Sequence, residues 1–147
     1  MINLLAGSTL EGPFQLVLAL LHVSAYGALT VAAALGGLSL RREASAAAPQ
    51  TATLRWLRAG FLLLSAGQIA HSTWTTFAWG EFWTWDPAKN LGLLVWLAYA
   101  AVLHMHHLPD LKGKKTVLAS LGAWALLILA LLCMNLCPGH GSVSPSR

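Results

Sequence analysis

Two kinds of side chain in this sequence could hold a metal-centred ligand: imidazoles, and a dense run of indoles. Residues 79–87 read Trp-Gly-Glu-Phe-Trp-Thr-Trp-Asp-Pro, so Trp79, Phe82, Trp83 and Trp85 fall within seven positions. Rings at that density can build a platform for a large flat ligand, because each aromatic side chain offers about 150–250 Å² of surface to bury. Six histidines accompany them, and neutral imidazole is a common metal ligand. A flat ligand with a metal at its centre is haem, and that is the chemistry the two features predict together.

The elements that must position these residues are apolar. The chain has 147 residues, 56% hydrophobic and only 10% charged, whereas soluble domains carry about 25% charged residues. A membrane helix needs about 20 apolar residues to cross roughly 30 Å of hydrocarbon. Four runs meet that length, at about 13–40, 59–79, 91–108 and 116–137, the third near the lower limit. The expectation is an all-α polytopic membrane protein: one four-helix domain over residues 1–147, with both termini outside and an external tryptophan-rich loop over 79–90. The first run reads as a span rather than a cleaved signal, since no basic segment precedes it and it is too long for a signal core.

Charge sets the orientation. Arg41, Arg42, Arg55 and Arg58 lie in or beside the first loop, and Lys112, Lys114 and Lys115 in or beside the third. The positive-inside rule places both in the cytoplasm, which puts the indoles on the external side of the cytoplasmic (inner) membrane. The net charge of +4 is thus a topology signal, and no nucleic-acid partner is expected. The environment is the lipid bilayer.

Depth sorts the histidines. Counting about 20 residues back from Arg41 puts His22 at or just below the outer surface. His140 follows the fourth run and lies at the same level. His104 falls about 20 Å down the third helix and His71 about 12 Å below the outer face, by the helical rise. Ionisable groups within a membrane are candidates for function, which favours His22 and leaves His104 open. For His71 a packing or helix-to-helix hydrogen-bonding role is the simpler reading. His106 and His107 read as polar caps at a helix end. Trp56, Trp96 and Trp124 need only the usual enrichment of indoles at membrane interfaces. Asp86-Pro87 reads as an N-cap followed by the first helical position. Cys133 and Cys137 share a helix face and serve either packing or a redox or metal role. No Cys-x-x-Cys-His attachment motif is present, so the chain is not itself a c-type cytochrome. The in-run glycines read as helix-packing positions.

The run Trp79-Gly80-x-Phe82-Trp83-x-Trp85-Asp86-Pro87 resembles the tryptophan-rich signature of the haem-handling cytochrome c assembly proteins, a group that includes CcsA (ResC), CcmC and CcmF. The flanks resemble the CcsA branch most: Leu21-His22-Val23-Ser24-Ala25-Tyr26 before the signature, Trp96 to His104 after it, and Asn135-Leu136-Cys137-Pro138-Gly139-His140-Gly141-Ser142 at the end. The resemblance covers about residues 15–143. It implies His22 and His140 as axial ligands of a non-covalent, b-type haem, with Trp79, Gly80, Phe82, Trp83, Trp85 and Asp86 as its platform. It implies His104 as a ligand in a deeper haem site. It further implies presentation of haem to apocytochrome c, and hence a component of a haem lyase. Two departures stand out. The family usually continues Lys-Glu-Thr-Trp after Asp-Pro, where this chain has Ala88-Lys89-Asn90-Leu91. Members usually carry further helices before the first external histidine, which implies either a membrane partner supplying them or a core reused for something other than ligation. A haem b electron-transfer subunit of a respiratory complex is the second reading, and a structural subunit with a vestigial haem fold the third.

Overall fold

A computed structural model describes residues 2–41, 47–83, 85, 87–111 and 113–136. It contains four α-helices: α1 (Ile2–Arg41), α2 (Ala47–Trp79), α3 (Pro87–Met105) and α4 (Lys114–Leu136). A short 3-10 turn at Pro109–Leu111 joins α3 to α4. The protein is an all-α polytopic membrane protein, as its hydropathy predicts. Gly12–Arg41, Pro87–Met105 and Lys114–Leu136 are long and apolar enough to cross a bilayer. The second helix is long enough but less apolar, because Gln68, His71, Ser72, Thr73, Thr75 and Thr76 crowd its second half.

Helix ends differ from the apolar runs for a physical reason. Hydropathy marks the stretch that meets lipid, whereas hydrogen bonding sets how far a helix continues. The first helix begins at Ile2, not near 13, and contains Pro13. The second begins at Ala47, not near 59. The small, polar segment before the second apolar run is therefore helical from Ala47 onward. Pro49 falls in the first turn, where its missing N–H has no intrahelical partner to lose. The third helix starts at Pro87, as the Asp-Pro pair predicts, although Asp86 itself lies outside the described residues.

Alternation gathers Arg41, Arg55, Arg58, Lys114 and Lys115 at one end of the bundle. The Gly80 turn, the start of α1 and the end of α4 gather at the other, called here the aromatic end. The tightest seam joins α1 to α2. His22 lies over Gly67, Leu29 over Gly60, and Gly36 faces Thr53. Positions 22, 29 and 36 step by seven along α1 while 67, 60 and 53 step by seven back along α2. That is the spacing of antiparallel, left-handed helix packing. Glycine at three of these contacts lets the backbones approach, as small residues do in membranes. In contrast, Gly27 and Gly122 face open space.

The core gathers Ala25, Leu29 and Ala32 from α1 with Leu57 and Leu64 from α2, Val95, Tyr99 and Val102 from α3, and Ala123, Leu127 and Ala130 from α4. The three- and four-residue spacings follow the helical period. Polar side chains are satisfied within the bundle. Hydroxyls of Ser24, Thr30, Ser65 and Thr73 donate to carbonyls one turn back. The Trp124 Nε1–H also donates to Thr30 Oγ1 at 3.2 Å, tying α4 to α1. Among the described residues the exceptions are Asn90 Oδ1 and Tyr99. The Tyr99 ring is 1% exposed, and its hydroxyl has no partner among the described residues. An unpaired buried hydroxyl costs about 1–3 kcal/mol. Tyr99→Phe is therefore expected to unfold no earlier than the parent, and to gain up to about 1 kcal/mol. Heat unfolding in detergent, followed by tryptophan fluorescence, measures this; a clear loss of stability would show that the hydroxyl is bonded.

Candidate functional site

The second helix outruns its neighbour at the aromatic end. A Cβ at Gly92, in the second turn of α3, would stand 2.8 Å from Gln68 Nε2, so these residues share a level. From Gln68 to Trp79 is a further 11 residues of helix, about 16 Å, whereas α3 extends only from Gly92 back to Pro87. The connection must therefore fold back. It begins at Gly80, whose φ of +76° is the left-handed conformation that glycine adopts without strain. The Gly80 N–H donates to the Thr76 carbonyl at 2.9 Å and closes the helix end.

Where α1 and α2 pass the start of α3 and the end of α4, a cavity of about 540 Å³ forms. This is within the range of about 300–1,000 Å³ typical of ligand pockets. His22, Tyr26 and Gln15 of α1, His71 and Gln68 of α2, and Lys89 of α3 supply its polar lining. Leu131 and Met134 of α4 close one apolar side. The half-buried His22 ring has defined chemistry. Its Nδ1–H donates to the Leu18 carbonyl at 2.8 Å, since a carbonyl can only accept. In the neutral ring, the basic lone pair is then on Nε2, the arrangement that orients a metal-ligating imidazole. Gly67 makes this placement possible: a Cβ there would meet His22 Cε1 at 2.9 Å.

The aromatic loop lines a second cavity of about 220 Å³ between α2 and α3. Phe82 and Trp83 line it together with Ser65, Ile69 and Ser72 of α2 and Leu93 and Trp96 of α3. Gln68 borders both cavities. The returning loop thus brings Phe82 and Trp83 to the level of Gly67 and His22. Trp83 and Trp85 pack edge to face, centroids 6.4 Å apart, and Trp85 remains 80% exposed. Trp79 ends α2; its side chain, Asp86 and His140 lie outside the described residues, so the expected pairing of His140 with His22 falls there too.

Several side chains have roles the sequence did not suggest. His71, read as a packing residue or a hydrogen-bonding one between helices, also lines the larger cavity with His22. The signal for it is the recurrence of Gly60 and Gly67 at seven residues, which sets the α1–α2 register. Trp96, read as an interfacial indole, instead donates its Nε1–H to Ser65 Oγ at 2.8 Å. It also stacks on Phe61 with centroids 5.4 Å apart. Phe14 and Trp74 stack likewise, at 4.5 Å. His104 lies on an exposed face of α3, with its Nδ1–H on the Ala100 carbonyl at 2.8 Å. It does not border either cavity. His106 turns inward instead, to a small cavity of about 40 Å³, too small for a macrocycle. Cys133 is a free, exposed thiol, and Cys137 is outside the described residues.

The chain is 38% identical over 82 residues to the cytochrome c biogenesis protein CcsA of Prochlorococcus marinus (strain NATL1A), covering 56% of this chain and 26% of that protein. It is 35% identical over 99 residues to CcsA of Thermosynechococcus vestitus, covering 67% and 31%. It is 33% identical over 107 residues to CcsA of Gloeothece citriformis, covering 73% and 33%. The aligned regions thus amount to between about a quarter and a third of these relatives. No solved structure matches. The family model described as "Cytochrome C assembly protein" matches residues 3–140, nearly the whole bundle together with its aromatic loop, and the chain belongs to that family.

Proposed function

We propose that this protein handles haem during cytochrome c maturation, holding it at the external face of the cytoplasmic membrane for attachment to apocytochrome c. The observation that carries this reading is the His22 cavity. The residues there fit an iron porphyrin: a volume of about 540 Å³ and an imidazole whose Nδ1–H is already committed to a carbonyl. Histidine is a common axial ligand of haem iron.

His22, through Nε2, and by family resemblance His140 would hold the iron of a non-covalent haem. Phe82, Trp83 and Trp85, in the loop that follows Gly80, would cover the macrocycle with apolar surface and exclude water. Asp86 and Trp79 complete the platform in the family signature. Thioether formation is largely the cofactor's own chemistry, to which the protein contributes binding and orientation. Exposed His104, with Nδ1 bonded to its own helix, would serve a deeper haem only with a ligand from a membrane partner. The positive-inside rule supports the sidedness, since the basic residues gather opposite the aromatic loop.

Deleting the gene is expected to abolish or sharply reduce covalently haem-stained c-type cytochromes, with apoproteins still made. The purified chain is expected to carry a b-type spectrum. Normal c-type cytochromes in the deletion strain, with b-type haem retained in the purified chain, would instead assign the protein to membrane electron transfer.

A further inference from the structure

Among the described residues, the larger cavity is bordered by one ammonium group and no carboxylate. The ammonium belongs to Lys89, a half-buried residue in the first turn of α3. Its facing follows from the residue three positions on. A Cβ at Gly92 would meet Gln68 Nε2 at 2.8 Å, so that side of α3 is turned toward α2. Residues three apart share a helix face, and Lys89 therefore borders the same space about 4–5 Å nearer the aromatic end. His22 lies over Gly67, the neighbour of Gln68 in the chain. An iron-suited imidazole and a cation thus line one volume, the cation displaced toward the external side.

Helix physics does not favour a cation at this position. The first N–H groups of a helix lack intrahelical partners and form the positive end of its dipole, which attracts anions. No acidic residue stands in the first turn of α3 to offset the lysine. The family signature usually has Glu at the second place after Asp-Pro, so the cation is a departure of this chain. A positive charge added to a positive helix end, beside a cavity without carboxylates, leaves that wall suited to an anionic group.

We infer that Lys89 is a specificity-determining residue of the His22 cavity: its ammonium pairs with a carboxylate of the bound porphyrin, so that the site selects the free diacid over an uncharged ester. The inference rests on the haem reading above and adds to it the recognition of the ligand's acidic edge. Protoporphyrin joins a broad apolar ring to two carboxylates. Carrying a carboxylate below the membrane surface strips its hydration, at a high cost unless a partner charge replaces it. Lysine is a compact point charge on a flexible stem, able to meet a carboxylate while its methylenes lie along the apolar wall.

The test compares ferric protoporphyrin IX with its dimethyl ester in absorption titrations of the purified full-length chain in detergent. Lys89→Met is expected to bind the diacid about 10-fold more weakly, the size of a charge-assisted hydrogen bond at a half-buried site, and to lose little or nothing with the ester. Lys89→Arg should restore the parental diacid-to-ester ratio, because the charge is kept. A lysine that only packs, or only extends its charge to water, would weaken both porphyrins alike or neither; either result overturns the inference. If Lys89→Met does not fold, Lys89→Gln carries the same comparison. Uptake of both porphyrins with an unchanged ratio in the variant overturns this inference and leaves the haem reading intact. A parent chain that takes up neither overturns the haem reading, and this inference with it.

Discussion

His22→Ala is expected to lower haem affinity more than about 100-fold, because changes one shell further out already reach about 10- to 100-fold. The argument is geometric. The Nδ1–H of His22 is bonded to the Leu18 carbonyl at 2.8 Å, which leaves Nε2 as the donor, and the ring borders the larger cavity. Gly67→Val tests the same point without touching a ligand. A Cβ at Gly67 would stand 2.9 Å from His22 Cε1 and 3.2 Å from Nε2, so the ring must leave its seat. Gly67→Val should therefore weaken haem binding while His22 is still present. Absorption titrations of both variants give the answer. Parental affinity in His22→Ala would remove the iron site from this cavity altogether.

The second large effect concerns the seam itself. In Gly60→Val, the new Cβ would lie 2.7 Å from Leu29 Cγ and 3.1 Å from the Leu29 backbone nitrogen. Leu29 is fully buried and can move only by shifting α1. Overpacking of this kind destabilises by about 1–3 kcal/mol or more. Gly27→Ala is the natural contrast, since nothing lies within 4 Å of that position. Alanine there should be neutral or gain about 0.5–1 kcal/mol from better helix propensity. Unfolding of both variants in detergent, followed by tryptophan fluorescence, compares them. Because Gly60 and Gly67 share one seven-residue register, Gly60→Val should also disturb the His22 seat and lower haem affinity. A fully stable Gly60→Val protein would mean that α1 and α2 do not meet as described.

Much of this was legible in the sequence, for identifiable reasons. Runs of apolar residues revealed α1, α3 and α4 because lipid contact demands unbroken hydropathy. The Asp86-Pro87 pair located the start of α3 because proline at the first helical position sacrifices no bond. His22 stood out by its place on α1, and the aromatic loop by its density of rings. The remainder depended on contacts between helices. Depth alone left His71 as a packing or hydrogen-bonding residue between helices, and only the α1–α2 register places it on the larger cavity. Trp96 looked like an interfacial indole until its register turned it toward Ser65. The smaller cavity under Phe82 and Trp83 depends on the loop folding back from Gly80, which no local pattern encodes. His104 could be ranked by depth from sequence, but depth does not say which way a side chain faces.

The hydrogen bond from His22 to the carbonyl of Leu18 has one more consequence. The aim of the imidazole lone pair is set by one turn of α1 and the Gly67 seat on α2, not by α3 and α4. Rocking of the α3–α4 pair, or exchange of whatever binds beside it, can enlarge or shrink the chamber ahead of that nitrogen without rotating the ring. Bond direction and chamber size are therefore separable properties, and the far walls can be recut for a different guest while the coordinating atom keeps its heading.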